Sequence, residues 1–227
     1  MKDKVLVIDD DWELQKLLQL CLERAGYEVI TAADGREGLW QLYNDRPSLV
    51  LLDILMAEMD GWETCRRIRQ LSDVPIIIIT ALANEKTKGF QMGADDYITK
   101  PFSMVELVTR IETRLRRYKR FRGYKSPTVY SDGDLTIDFD HRQVTVRGKP
   151  ITLTPIEFSV LACLVQKAGQ VVPHKTILLQ VWGAEYINDV HYLRLYIQNL
   201  RRKIEENPEN PKRLVTEWGI GYRFCPA

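Results

Sequence analysis

At 227 residues the chain exceeds the usual size of one domain, and 45% hydrophobic with 28% charged residues is an ordinary globular composition with no long low-complexity tract. Charges within the opening MKDKVLVIDD, and no apolar run near the roughly 18 residues of a membrane span, lead us to expect a cytoplasmic protein with no membrane partner. The net charge of +1 hides an asymmetry: residues 1–115 carry 14 Lys+Arg against 20 Asp+Glu, a balance of −6, and the remainder carries 18 against 11, a balance of +7. A basic second half suits a polyanionic partner such as nucleic acid, although a solvated basic face has the same composition. The four cysteines, Cys21, Cys65, Cys163 and Cys225, lie far apart in apolar patterns and suggest buried free thiols, not a zinc cluster or a disulfide framework.

In chain order, the aliphatic run KVLVI precedes a helix whose Leu14, Leu17, Leu18, Cys21 and Leu22 share one face and which stops at Gly26. YEVIT, a helix from about Gly35, SLVLL, a helix from about Gly61, PIIIIT, a short helix near residues 84–91, DYITK and a helix from about Ser103 complete five β/α units. Continuous aliphatic strands spaced by helices predict a parallel sheet covered on both faces. Such sheets gather their reactive groups at the carboxyl ends of the strands.

The strand ends carry Asp9 and Asp10 after the first strand, Asp53 after the third, Thr80 after the fourth and Lys100 after the fifth. Three converging carboxylates repel one another, and hard oxygen ligands of this kind invite Mg²⁺. With a cation shielding a phosphoryl group, an Asp can act as nucleophile and form an acyl phosphate. Thr80 would then donate to the phosphoryl oxygens and Lys100 would pair with their charge. Each residue also has a plainer reading: Asp10 or Asp11 as a helix N-cap, Asp53 and Thr80 as turn residues, Lys100 as a solvated strand end.

The segments VLVIDDD, LLDILMAEMDG, IIIITA and GADDYITKPF, with their spacing over roughly residues 1–120, resemble the receiver domain of two-component response regulators. The resemblance implies a flavodoxin-like (CheY-like) receiver of strand order 2-1-3-4-5, with Asp53 accepting phosphate from a histidine kinase. It also implies Mg²⁺ held by Asp9, Asp10, Asp53 and the Leu55 carbonyl, and a cis bond before Pro101. Tyr97 takes the place of the family's two-position aromatic switch. Lys86 with Glu106, Asp96 with Arg110, and Asp95 with Arg117 match the family's dimer pairs, around an apolar centre of Phe90 and Val108. The family often has Pro where this chain has Ala57.

Residues 121–130 read as a linker, within the aperiodic, basic stretch YKRFRGYKSPTVY. GDLTIDFD, RQVTVRG and PITL alternate as short antiparallel strands opening a second domain over 131–227. LTPIEFSVLACLVQKAGQVV reads as a helix with Pro155 in its first turn, PHKTILLQVWG as a second helix ending at Gly183, and a polar loop leads from there to Asn188. In VHYLRLYIQNLRRKIEEN, Leu193, Ile197, Leu200 and Ile204 mark a buried face. Arg194, Gln198 and Arg201, with Arg202 and Lys203 beside them, form a stripe suited to a major groove, where Arg reads guanine, Gln reads adenine and neighbouring cations hold phosphates.

The helix, loop and helix followed by RLVTEWGIGYRF give a winged helix-turn-helix, and LTPIEF and GIGYRF resemble the effector domain of the OmpR/PhoB subfamily. Within it, HYLRLYIQNLRRKIE with TEWGIGYRF is similar to regulators of the Kdp potassium transporter. His191, Arg194, Gln198, Asn199, Arg201, Arg202, Thr216 and Arg223 are the candidate DNA contacts. Trp218 stands where the family's wing often carries Arg, and AEYIND, residues 184–189, matches a segment that contacts RNA polymerase in activators of the family.

The resemblance implies a phosphorylation-activated, dimerising transcription factor on double-stranded promoter DNA, which is not an enzyme beyond accepting its own phosphoryl group and slowly losing it. Two other classes stay open at this point. An aspartyl-phosphate phosphatase would use Asp9 as nucleophile with Asp11, and a phosphorylation-independent DNA-binding protein would keep the receiver as a scaffold. His141, His174 and His191 are too scattered for a metal site.

Overall fold

The computed structural model describes residues 2–57, 60–82, 85–120 and 129–227. The chain forms two compact units, Met1–Tyr118 and Lys119–Ala227. Among the described residues no helix is long and apolar enough to cross a membrane.

In the first unit β1 (Lys4–Ile8), β2 (Glu28–Ala32), β3 (Leu49–Asp53), β4 (Ile76–Thr80) and β5 (Asp96–Thr99) pair in parallel in the order β2-β1-β3-β4-β5. The helices α1 (Trp12–Arg24), α2 (Gly35–Asp45), α3 (Gly61–Leu71), α4 (Lys86–Gln91) and α5 (Met104–Arg120) follow the five strands in turn. Every residue of β3 and β4 is buried, as expected of central strands that have no solvent face. Leu18 and Leu22 of α1 pack with Leu107, Ile111 and Leu115 of α5 on one core that includes Val5, Val7 and Leu51.

Register brings the strand ends level: Ile8 lies beside Leu52, Asp53 beside Ile79, and Thr80 beside Thr99. α1 starts where Asp11 accepts the Glu13 and Leu14 N–H groups at 3.0 and 3.1 Å, so Asp11 is the helix cap. The bond between Lys100 and Pro101 is cis, as the resemblance implies.

The second unit opens on a four-stranded antiparallel sheet, β6 (Val129–Ser131), β7 (Leu135–Asp138), β8 (Gln143–Val146) and β9 (Lys149–Ile151). β6 begins inside the stretch read as linker, because Val129 and Tyr130 pair with Asp138 and Ile137. Residues 121–128 of that stretch lie outside the described residues.

The helix expected over 153–172 is shorter: α6 runs Pro155–Val165, and a turn through Gly169, at φ +79°, leads into β10 (Val171–Pro173). β10 is extended because it pairs with β12 (Gly221–Phe224), which pairs in turn with β11 (Leu214–Glu217). α7 (His174–Val181), a 3₁₀ turn at Ala184–Tyr186 and α8 (Val190–Ile204) complete the winged helix-turn-helix.

Candidate functional site

At the carboxyl edge of the first sheet, Asp9, Asp53 and Thr80 are buried at 2%, 5% and 0% exposure. Lys100, one residue past β5, places its Nζ 2.6 Å from Asp53 Oδ2 and 3.1 Å from Asp9 Oδ2. The second oxygens are held by backbone donors: Asp11 N–H on Asp9 Oδ1 and Leu55 N–H on Asp53 Oδ1, each at 2.9 Å.

Burial pushes the Asp9 carboxyl above its ordinary pKa, against the lowering by the Asp11 N–H and Lys100. Burial opposes the charge on Lys100 too, but Asp53 and Asp9 outweigh it and the ammonium pKa is raised. Gln15, which the sequence pattern did not single out, donates its amide to the Asp9 and Ala32 carbonyls at 2.5 and 2.8 Å and fixes the ends of β1 and β2.

The third carboxylate is turned elsewhere. Asp10 is exposed and its Oδ2 accepts the Ala57 N–H at 3.1 Å, a bond that Pro at this position would lack. Among the described residues no three His, Cys, Asp or Glu side chains are grouped as a metal set, and the cation between Asp9 and Asp53 is the Lys100 ammonium. Thr80 Oγ1 accepts from Leu82 N at 3.4 Å, and the buried Tyr97 donates its hydroxyl to the Leu82 carbonyl, so these two residues meet on one loop.

The residues assigned to a dimer rim are largely engaged within their own receiver. Asp95 pairs with Arg69 at 2.5 Å and accepts the Ile76 N–H, so a guanidinium from the end of α3 holds it. Asp96, 1% exposed, pairs with Arg110 at 3.1 Å and Arg114 at 2.8 Å, while Glu106 pairs with Arg110 at 3.0 Å. Phe90 is 2% exposed, whereas Val108 is half-buried against the core and keeps part of its side chain at the surface. The side chains of Lys86 and Arg117 lie outside the described residues.

On α8 the buried face is Leu193, Ile197, Leu200 and Ile204, joined by Tyr192 and Tyr196. His191, Arg194, Gln198 and Arg202 are exposed at three- and four-residue steps, and Asn199 is half-buried beside them. Arg201 departs from the expectation. Its guanidinium donates to the Leu214 carbonyl and, at 2.8 Å, to Thr216 Oγ1, because this edge of the stripe meets β11 and leaves the side chain half-buried.

Lys203 departs as well. It donates to Glu157 at 2.6 Å and to the Thr152 carbonyl at 3.0 Å, binding α8 to the capping box at the start of α6. Arg223 pairs with Glu217 at 2.5 Å across the wing. Arg194, Gln198 and Arg202 line a concavity of about 450 Å³ with Thr216 and Trp218 of the wing and His174 of α7. No local pattern places His174 there, because β10, which leads into it, is set by pairing with the distant β12.

Residues 5–112 match the response regulator receiver domain, and residues 148–224 match the C-terminal domain of transcriptional regulatory proteins. The probable transcriptional regulator ycf27 of Cyanophora paradoxa is 41% identical over 98% of this chain and 96% of its own. The DNA-binding response regulator MtrA of Mycolicibacterium smegmatis is 38% identical over 100% and 98%. Among solved structures, response regulator DrrB, an OmpR/PhoB homologue of Thermotoga maritima, is 31% identical with a TM-score of 0.51, covering 99% of this chain and 100% of that one. With its parallel receiver sheet and its C-terminal winged helix, the chain belongs to the OmpR/PhoB-type response regulators, DNA-binding transcriptional regulators built from these two domains.

Proposed function

We propose that phosphoryl transfer from a sensor histidine kinase to Asp53 switches this regulator's hold on promoter DNA. The observation that carries the reading is Asp53 itself, a nearly buried carboxylate at a strand end, paired with the Lys100 ammonium at 2.6 Å and level with the buried Thr80. An Asp53 oxygen attacks phosphorus, the new O–P bond forming as the bond to the donor breaks. Lys100 then pairs with the phosphoryl oxygens, and the Thr80 hydroxyl donates to them.

The hard oxygens of Asp9, Asp10 and Asp53, with the Leu55 carbonyl, fit Mg²⁺, which neutralises phosphoryl charge during transfer when bound. Asp10 joins that set by leaving the Ala57 N–H. Because Asp11 is spent as the α1 cap, a phosphatase built on Asp9 and Asp11 lacks its second carboxylate. The chain is therefore a phospho-acceptor that slowly loses its own phosphate, not a turnover enzyme.

Thr80 and Tyr97 both bind Leu82, so movement of the Thr80 hydroxyl toward a phosphate is felt at Tyr97 and at the α4, β5 and α5 elements around it. We assign dimerisation to that face. It would recruit Glu106, Arg110, Asp95 and Asp96 from their present partners, with Lys86 and Arg117, around Phe90 and Val108. A dimer raises the effective concentration of the second winged helix at adjacent half-sites.

In the effector, residues 131–227 after a linker over 121–130 and a receiver over 1–120, His191, Arg194, Gln198, Asn199 and Arg202 read DNA. Thr216 and Arg223 support the wing, and residues 184–189 face RNA polymerase. The protein acts in the cytoplasm. Selection from random duplex DNA with and without Mg²⁺ and acetyl phosphate tests this reading: paired half-sites that depend on donor and on Asp53 support it, and equal enrichment in Asp53→Asn contradicts it.

A further inference from the structure

The hairpin of β11 and β12 ends on Trp218 and Gly219, with Gly219 in the left-handed region at φ +74°. Trp218 is 90% exposed, the most exposed of the five tryptophans, and Ile220 next to it is 55% exposed. The tip is rigidly carried. Ile220 N–H closes the turn on the Glu217 carbonyl at 3.0 Å, and Arg223 pairs with Glu217 at 2.5 Å. β12 lies so close to β10 that a Cβ on Gly221 would stand 2.0 Å from the Val172 carbonyl oxygen.

An indole so displayed has no packing role in its own unit. It borders the concavity lined by Arg194, Gln198 and Arg202, so its apolar surface is continuous with the cationic face of α8. Cations flanking a rigid apolar tip suit duplex DNA, which offers phosphates to the guanidinium groups and a base step to the ring.

We infer that Trp218, with Ile220 behind it, is an apolar wedge that enters the minor groove beside the site of α8 and opens a base step there. Flexible pyrimidine–purine steps unstack most easily, so the wedge selects sequence at positions that no polar side chain touches. The inference rests on the reading of α8 as the DNA-reading helix.

The test uses the full chain and the duplex that the native protein selects, with 2-aminopurine at the steps next to the wing and dyes at the duplex ends. Trp218→Ala is expected to weaken binding about tenfold or more, within the range lost when one base–aromatic stack is removed. It should also abolish the 2-aminopurine brightening and reduce the bend read by energy transfer, with Trp218→Phe intermediate. The circular dichroism of both variants should match the native chain, since the side chain is exposed.

Arg194→Ala runs in parallel. If it abolishes binding while Trp218→Ala leaves affinity, brightening and bend unchanged, the wedge is overturned and the reading of α8 stands. If Arg194→Ala also has no effect, that reading fails and takes the wedge with it. If Trp218→Ala alters only self-association in sedimentation, the tip is a protein contact and the wedge is again overturned.

Discussion

Replacing Arg201 separates a helix that reads DNA with every basic residue from one that spends some of them on its own fold. Its Nε lies 3.0 Å from the Leu214 carbonyl oxygen, and its Nη2 lies 2.5 Å from that oxygen and 2.8 Å from Thr216 Oγ1. Arg201→Met keeps the aliphatic stem and removes these donors beside the fully buried Leu214. A hydrogen bond involving a charged group contributes about 1.5–3 kcal/mol, and because Arg201 is only half-buried we take about 2 kcal/mol.

The loss should fall on local opening of the wing, where about 2 kcal/mol corresponds to roughly 30-fold faster amide exchange over β11 and β12. Hydrogen exchange with mass spectrometry on the full chain reads this directly. DNA affinity should fall evenly across sequences, because positioning is lost rather than a base contact. Native exchange rates combined with relaxed preference at one base pair would refute the reasoning and restore Arg201 as a reader.

Gly61→Ala would set a Cβ 2.3 Å from the Asp53 carbonyl oxygen and 2.5 Å from Ile54 Cα, so the strand end must shift. A loss of about 1–3 kcal/mol in thermal unfolding and slower phosphoryl uptake are expected, and native values for both would contradict this. Burial raises the Asp132 carboxyl, but Arg213, the Leu135 N–H and Tyr130 together hold it below the usual range. The pair therefore contributes stability that is fully present above the unfolded carboxylate pKa of about 4 and is lost as pH falls from there through the lowered folded-state pKa. Asp132→Asn should cost about 3 kcal/mol at neutral pH and flatten the acid limb of the stability profile, since Arg213 is left buried without its close carboxylate.

Asp9 has the opposite sign: its raised pKa makes the charged form a cost once pH exceeds the unfolded value. Asp9→Asn should therefore raise the melting temperature at neutral pH without added metal, a gain that fades below about pH 4. A lowered melting temperature at neutral pH would contradict it.

The receiver was legible because buried parallel strands are continuous aliphatic runs, and each ends at the sheet edge where Asp9, Asp53, Thr80 and Lys100 meet. The second unit was less so. β10 is three residues long and takes its extended form from β12, some fifty residues later, so no local period marks it. A helical wheel identifies the outer face of α8, but the carbonyl that captures Arg201 and the carboxylate that captures Lys203 come from β11 and α6. Asp95 and Asp96 read as surface charges because nothing in the sequence announces that Arg69 and Arg114 lie against them.

Under the proposed function, a phosphoryl group on Asp53 governs DNA binding. The most direct measurement is the affinity of the full-length protein for its selected duplex before and after acetyl phosphate treatment with Mg²⁺, with Asp53→Asn alongside and phosphate occupancy read by mass spectrometry. Binding should tighten with occupancy in the native protein and stay unchanged in Asp53→Asn. Full occupancy with unchanged affinity would contradict it.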